Sequence, residues 1–486
     1  MSFRKLLLPV LLGLFLLPTQ ALGQGFNGRA RTYISYLQLR DLVLDSLEEG
    51  TVPGDGVQRT LSNGTPVTCG EDYCQYYRSG PELGVAPFLV DLELNAWSGI
   101  TGLRGYAHVR ARDHLGDYRI VWPRADEPFE ALAAYIEYGR SFYRIRAGRQ
   151  WQTTALGLYN YDGGSVHMGL PHNLDLEVYG GISLLRGLNE SHYSDLISDV
   201  ESLFPKEDAW LGGAHLRVRP FPALSGSITY QREEATNSGD LYSERLAAST
   251  RILLGPLTLS GELKYDLATR QTNLAKAALA FPMGHGFRAS GQVRRYKPFF
   301  ELWTIWGAFS PVGFDEVRGR LDWIAPTGKL SGYTYGSYRT YDVSTTQIPE
   351  SLSITDESWR WGLGGRYSLR TDVTLSAEYR YDEGYGASRN GGDLSVQKFF
   401  GRDSYVALRG TAFQTFSEFR VGSGGVIGGG LEGAFPLASA RVRGSGMFYR
   451  HDQIDRRSLL DLNQTRLSLS LEVPIGNDPG LRGGGN

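Results

Sequence analysis

Residues 103–112 alternate without a break: Leu103, Gly105, Ala107, Val109 and Ala111 take one phase, and Arg104, Tyr106, His108, Arg110 and Arg112 take the other. The same split runs through 316–323, where Val317, Gly319, Leu321 and Trp323 oppose Glu316, Arg318, Arg320 and Asp322. Near the end of the chain Leu467, Leu469, Leu471 and Val473 alternate with Ser468, Ser470 and Glu472. A period of two sends successive side chains to opposite faces of a strand, so each segment presents one apolar and one polar face. Turn residues between such segments divide the chain into strands at 29–39, 85–97, 103–112, 129–138, 142–149, 163–169, 174–184, 209–219, 223–232, 241–253 and 257–267. The second half reads as 272–281, 286–296, 314–324, 329–341, 357–368, 372–382, 392–400, 404–414, 425–435, 440–450 and 461–473.

The connections sharpen this pattern. Those after even-numbered strands are tight, such as 98–102, 139–141, 220–222, 254–256, 325–328 and 401–403. Those after odd-numbered strands are mostly long, at 40–84, 113–128, 150–162, 185–208, 297–313 and 342–356. Short turns on one side and long loops on the other are what an outer-membrane barrel produces when both chain ends lie in the periplasm. The expected fold is therefore all-β: a transmembrane antiparallel up-and-down β-barrel of about 22 strands, even in number and within 18–22. The soft places in that count are the short strand at 163–169 and the glycine run inside 425–435.

The first residues set the compartment. Arg4 and Lys5 precede an apolar run from Leu6 to Leu17, then Pro18 and the small-residue site Ala21-Leu22-Gly23, which is the pattern of a secretory signal peptide. The run is too short for a membrane helix, which needs roughly 20 apolar residues. Residues 1–23 are thus expected to be a signal peptide, 24–473 the barrel in the outer membrane of a Gram-negative-type cell, and 474–486 a periplasmic tail. Few residues separate the expected cleavage site from the first strand, so no plug domain is expected. Gly (62), Tyr (28), Phe (21) and Trp (9) are spread evenly, with no compositional boundary that marks a second domain. The formal charge of −2 gives no reason to expect nucleic acid as a partner. The expected partners are outer-membrane lipid, lipopolysaccharide and the outer-membrane assembly machinery.

Cys69 and Cys74, in CGEDYC, lie in the exported part of the chain and read as a local disulfide. The basic residues are nearly all arginine, and Arg104, Arg110, Arg112, Arg144 and Arg146 are candidates for a pore lining, with His108, Glu316, Arg318, Arg320 and Asp322. Two readings of these rows stand: a wall that favours anions, or a polar lining in which Glu316, Asp322, Glu378 and Asp382 neutralise the arginines. No H-E-x-x-H, G-x-S-x-G or phosphate-cradling G-x-x-x-x-G-K-[ST] occurs, so no catalytic or metal residue and no cofactor is expected. His108 and His114 come closest to a paired site and read as polar lining. Asp162, in YDGGSV, reads as a turn residue. Phe299, Phe300, Trp303, Trp306 and Phe309 form an aromatic loop cluster, either the small core of a folded loop or a stacking surface for sugar rings or a partner.

The run FYRIRAGRQ at 142–150, followed by LGLYNYDGGSV at 156–166, resembles the "GRQ … DG" stretch of porin-like outer-membrane barrels of the alginate-export type. PFFELWTIWGAFSPVGF at 298–314 also looks like an extracellular loop of large porin-like barrels. The resemblance implies the porin-like class and no particular substrate; the expected role is a pore for passive passage of small hydrophilic solutes. A plugless barrel this wide must be narrowed by inward-folded loops, be filled by a partner, or stand open. The loops at 40–84, 150–162, 185–208 and 297–313 have the length to fold inward. The partner alternative is a sheath around a multihaem cytochrome that carries electrons across the outer membrane. The chain itself has no C-x-x-C-H haem site.

Overall fold

In the computed structural model the alternating segments are strands, and they lie in a single closed antiparallel sheet. The described residues are 25–62, 65–116, 128–184, 208–297, 312–342, 356–384, 389–401, 403–418, 422–453 and 463–476. The strands of the first half are β1 (Gly25–Glu48), β2 (Gln58–Thr60), β3 (Pro66–Cys69), β4 (Tyr73–Trp97), β5 (Leu103–Gly116), β6 (Phe129–Gly139), β7 (Tyr143–Thr154), β8 (Gly157–Leu170), β9 (Leu174–Ser183), β10 (Ala209–Phe221), β11 (Leu224–Ala235) and β12 (Leu241–Leu254). Those of the second are β13 (Leu257–Asp266), β14 (Gln271–Gly284), β15 (Phe287–Tyr296), β16 (Phe314–Ile324), β17 (Leu330–Tyr341), β18 (Glu357–Arg370), β19 (Val373–Gly384), β20 (Arg389–Phe399), β21 (Tyr405–Glu418), β22 (Gly422–Leu437), β23 (Ala440–Gln453) and β24 (Gln464–Gly476).

From β4 to β24 every strand pairs with the next, and β1 pairs with both β4 and β24. The wall is thus a 22-strand up-and-down barrel, with β2 and β3 as a small hairpin beside it. At a spacing of about 4.8 Å and a tilt of about 40°, 22 strands enclose a circular section about 44 Å across between backbones. Closure leaves the wall without an edge, which a sheet in hydrocarbon requires. Among the described residues the only helical element is one 3-10 turn at Glu49–Thr51, and no domain fills the barrel.

One phase of the alternation faces out and is apolar. Val317 (60% exposed), Leu363, Leu408, Leu467, Leu469 and Leu471 present their side chains away from the wall. The other phase faces the lumen and carries the charges. Both soft strands are present and longer than the pattern indicated, at Gly157–Leu170 and Gly422–Leu437. The glycines in them do not break the sheet, because several are sites of close backbone approach. A Cβ at Gly163 would stand 2.1 Å from the Gly180 carbonyl oxygen, and one at Gly430 would stand 2.0 Å from that of Gly446.

Two expected loops are largely strand. In 40–84, β1 runs on to Glu48 and β4 begins at Tyr73, and the two pair as an arm beyond the point where β1 leaves β24. A bulge between Arg40 and Leu42 resets the phase where the sequence pattern lapses. Beyond the closed wall, no apolar exterior and charged interior impose alternation. The arm ends in a small core of Val52, Val67, Cys69 and Cys74, packed by Leu47, Leu61 and Tyr76. Cys69 and Cys74 are disulfide-bonded across the β3–β4 register. The Arg78 guanidinium, with help from the Ser46 N–H, holds the Asp45 carboxyl on this arm below its ordinary pKa.

The second correction is 150–162, which is no open loop. β7 continues to Thr154, β8 starts at Gly157, and a two-residue turn joins them. The expected signal peptide, the tail from 477, the aromatic loop cluster at 299–309 and most of the loops at 113–128, 185–208, 297–313 and 342–356 lie outside the described residues.

Candidate functional site

The lumen wall is built one ladder at a time, and opposite residues of neighbouring strands decide what each arginine meets. On β4–β7 they meet acids. Arg110 stands opposite Asp91 and donates to both carboxylate oxygens, at 2.7 and 3.0 Å. His108 lies 3.9 Å from the same carboxylate. Arg112 pairs with Glu130 at 2.8 Å, and both side chains are nearly buried. Glu137 accepts from Arg146 at 2.7 Å, has Arg144 at 3.8 Å, and faces Arg104 in the β5–β6 register. Arg29 and Tyr106 both donate to Glu93.

The predicted group on β16 divides. Glu316, with a side chain 3% exposed, is clamped by Arg294 from β15 and Arg339 from β17. Both guanidiniums lie over the Phe314 ring, at 5.1 and 4.6 Å. Arg320 pairs with Asp322 on its own strand at 2.7 Å and covers the Tyr333 ring at 4.0 Å. Arg318 has no carboxylate partner among the described residues and lies 4.6 Å over the Tyr335 ring. Of the other acids named as neutralisers, Glu378 pairs with Arg380 and Asp382 with Arg360. Asp162 is no turn residue: it sits within β8, opposite Arg149, and takes two hydrogen bonds from that guanidinium at 2.8 Å each. His114 lies on β5, six residues beyond His108, beside Asp113, and the two histidines form no common site.

Lumen narrowing comes from the β7–β8 hairpin. Above Arg149, β7 loses β6, and before Tyr161, β8 has no partner in β9, so the tip pairs only with itself. It turns inward. Leu156 at the turn packs with Tyr159 and Tyr161 on Tyr179 of β9, Leu211 of β10 and Ala247 of β12, all wall residues of the lumen phase. Polar contacts hold the same face: Gln152 donates to Glu177 at 3.1 Å, Tyr179 donates to Gln231 at 3.0 Å, and Arg245 lies 5.7 Å over the Tyr159 ring. The tip at Thr153–Ala155 overhangs a concavity of about 1250 Å³ whose wall includes His215, Arg217, Arg219, Ser227 and Arg251.

Two further concavities follow round the wall. One of about 450 Å³ spans β12–β16 and holds Arg251, Arg288, Arg318 and Arg320. The other, of about 790 Å³, spans β16–β23 and holds Asp322, Glu378, Asp393 and Glu432 with Arg366 and Arg409. The lumen therefore has a basic arc and a mixed, acid-rich arc. The sequence pattern missed Arg251 and Arg288 as members of the basic arc. Both lay on expected strands in the lumen phase, but the residues opposite them were out of view. Among the described residues no three His, Cys, Asp or Glu side chains converge as a metal site.

No family model matches the chain, and no curated protein matches it. Among solved structures, it is similar to OccAB4 of Acinetobacter baumannii, at 8% identity and a TM-score of 0.38, over 95% of this chain and 100% of that one. It is also similar to the FrpB iron transporter from Neisseria meningitidis, at 10% identity and 0.45, over 94% and 83%. A third likeness is to a BenF-like porin from Pseudomonas fluorescens Pf-5, at 11% identity and 0.37, over 92% and 99%.

Proposed function

We propose that this chain is a bacterial outer-membrane pore for passive passage of small hydrophilic solutes. The observation that carries the reading is the closed 22-strand wall with an apolar outside and a charged inside, narrowed by its own β7–β8 hairpin. The outer band contacts lipid, the long-loop end faces lipopolysaccharide and the medium, and the short turns face the periplasm. Insertion relies on the outer-membrane assembly machinery. Arg104, His108, Arg110, Arg112, Arg144, Arg146, Glu316, Arg318, Arg320 and Asp322 line the aqueous path, and they act on ions through the charge left after pairing.

Purified barrel added to planar bilayers tests this directly: steady single-channel steps, with swelling of liposomes in small sugars, are expected. A second reading, a sheath around a partner such as a multihaem cytochrome, is favoured by the width, since the hairpin packs on the β8–β12 arc and leaves the β16–β23 concavity open. A barrel that carries no current alone and co-purifies with a haem-staining protein would replace the pore by the sheath.

A further inference from the structure

The basin between β12 and β16 owes its shape to which residues share a row. Arg251 stands opposite Ser260, Ser260 opposite Ala278, Ala278 opposite Gln292, and Gln292 opposite Arg318. The next lumen-facing row toward the turn end runs Thr258, Ala280, Ser290 and Arg320. Short side chains and Gln292 thus floor three consecutive strands, and long guanidinium side chains rim them on either side. Arg288, opposite Asp322 one row further, closes the turn end. The concavity, open toward the lumen, has a volume of about 450 Å³, in the range of small-molecule sites.

Its charge is as uneven as its shape. No carboxylate lines the basin, and Arg320 alone of the four arginines has an acidic partner, Asp322. Arg251, Arg288 and Arg318 have no carboxylate within ion-pair distance among the described residues. Three like charges around this floor, against a low-dielectric wall, give the basin a positive potential, which the Asp322 carboxylate opposite Arg288 tempers only at its turn end. The guanidinium fork matches oxyanions through paired N–H donors, and Thr258, Ser260 and Ser290 add hydroxyl donors between the forks.

We propose that this basin binds a tetrahedral oxyanion dianion, the phosphate group of a small solute. Charge and oxygen count favour that class over a simple carboxylate. A carboxylate brings one charge and two oxygens to three unpaired guanidiniums, whereas a phosphate monoester brings close to two charges and three terminal oxygens. The site rests on the pore reading only in that its ligand enters through the lumen.

The test is titration calorimetry on the purified full-length barrel in detergent at pH 8, with inorganic phosphate, glycerol phosphate, sulfate and acetate as probes. Phosphate and sulfate should bind at least tenfold more tightly than acetate, and Arg251→Ala/Arg288→Ala/Arg318→Ala should lose that margin. Glycerol phosphate that binds as well as inorganic phosphate assigns the basin to phosphorylated solutes, and glycerol phosphate that fails to bind overturns the solute assignment. Heat-dependent gel mobility reports folding, and Ser260→Glu, which brings a carboxylate between the forks, is a second variant expected to abolish the margin. Equal binding of acetate and phosphate, or an unchanged margin in folded variants, would overturn the site. Calorimetric binding by a barrel that carries no current would sink the pore and keep the site; current without binding would do the reverse.

Discussion

The β4–β7 wall and the β12–β16 wall are both rows of arginine on alternating strands, yet they differ in what the register places opposite. Arg110 meets Asp91, and Glu137 serves both Arg144 and Arg146. Arg251 meets Ser225 and Ser260, and Arg318 meets Gln292 and Ser337. On the first wall every arginine pair or group has a carboxylate of a neighbouring strand beside it; the second leaves its charge to whatever enters the lumen. A charge on a barrel wall is therefore a property of a pair of strands. β16 carries the boundary, with Glu316 fully paired and Arg318, two residues on, unpaired.

That boundary is where the contrast breaks most easily. Glu316→Ala leaves Arg294 and Arg339 without their buried carboxylate, and about 3–5 kcal/mol of stability should be lost. Urea unfolding followed by gel mobility measures it, and a loss near zero would mean the clamp is not a structural tie. Next, Leu156→Ala should weaken docking of the hairpin by about 2–3 kcal/mol and make single-channel current noisy, with excursions to higher conductance. Quiet traces at the wild-type level would show that the hairpin does not narrow the path.

Converting one wall into the other should have smaller effects. Asp91→Asn unpairs Arg110 and should raise the anion-to-cation permeability ratio by a factor of about five if the charge acts on the order of 1 kcal/mol through water. Reversal potentials in a salt gradient report the ratio. Removal of both partners, Arg110→Ala/Asp91→Ala, should leave it unchanged, and a large shift would contradict the mutual neutralisation of that pair. Last, Cys69→Ser should loosen only the tip of the β1–β4 arm, seen as faster proteolysis there, with conductance unaltered.

Much of the barrel was legible because lipid and water impose opposite demands on successive residues. Leu103–Ala111 and Val317–Trp323 announced their faces, and the 22 strands followed. Phase also told which arginines face inward, as for Arg318 and Arg320. It did not tell which keep their charge, since Asp91 lies nineteen residues from Arg110 and Glu316 twenty-three from Arg339. The extents of β1, β4, β7 and β8 were hidden for another reason. Beyond the closed wall pairing continues without alternation, as in 38–48, and so it does on an inward hairpin whose two faces meet protein and lumen, as in 150–160.

The seam between β1 and β24 sets the order of assembly. Neighbours elsewhere in the wall are consecutive strands or, at β1–β4, strands joined through a short arm, but Arg31 and Glu472 bond at 2.9 Å across 441 positions of sequence. Logarithmic chain entropy makes that meeting costlier than closing a twenty-residue hairpin by about 3 kcal/mol. The seam forms only once both ends of the chain are in place. Until then two unsatisfied edges must be shielded, so the time a newly made chain spends vulnerable is governed by its slowest contact and not by its many fast ones.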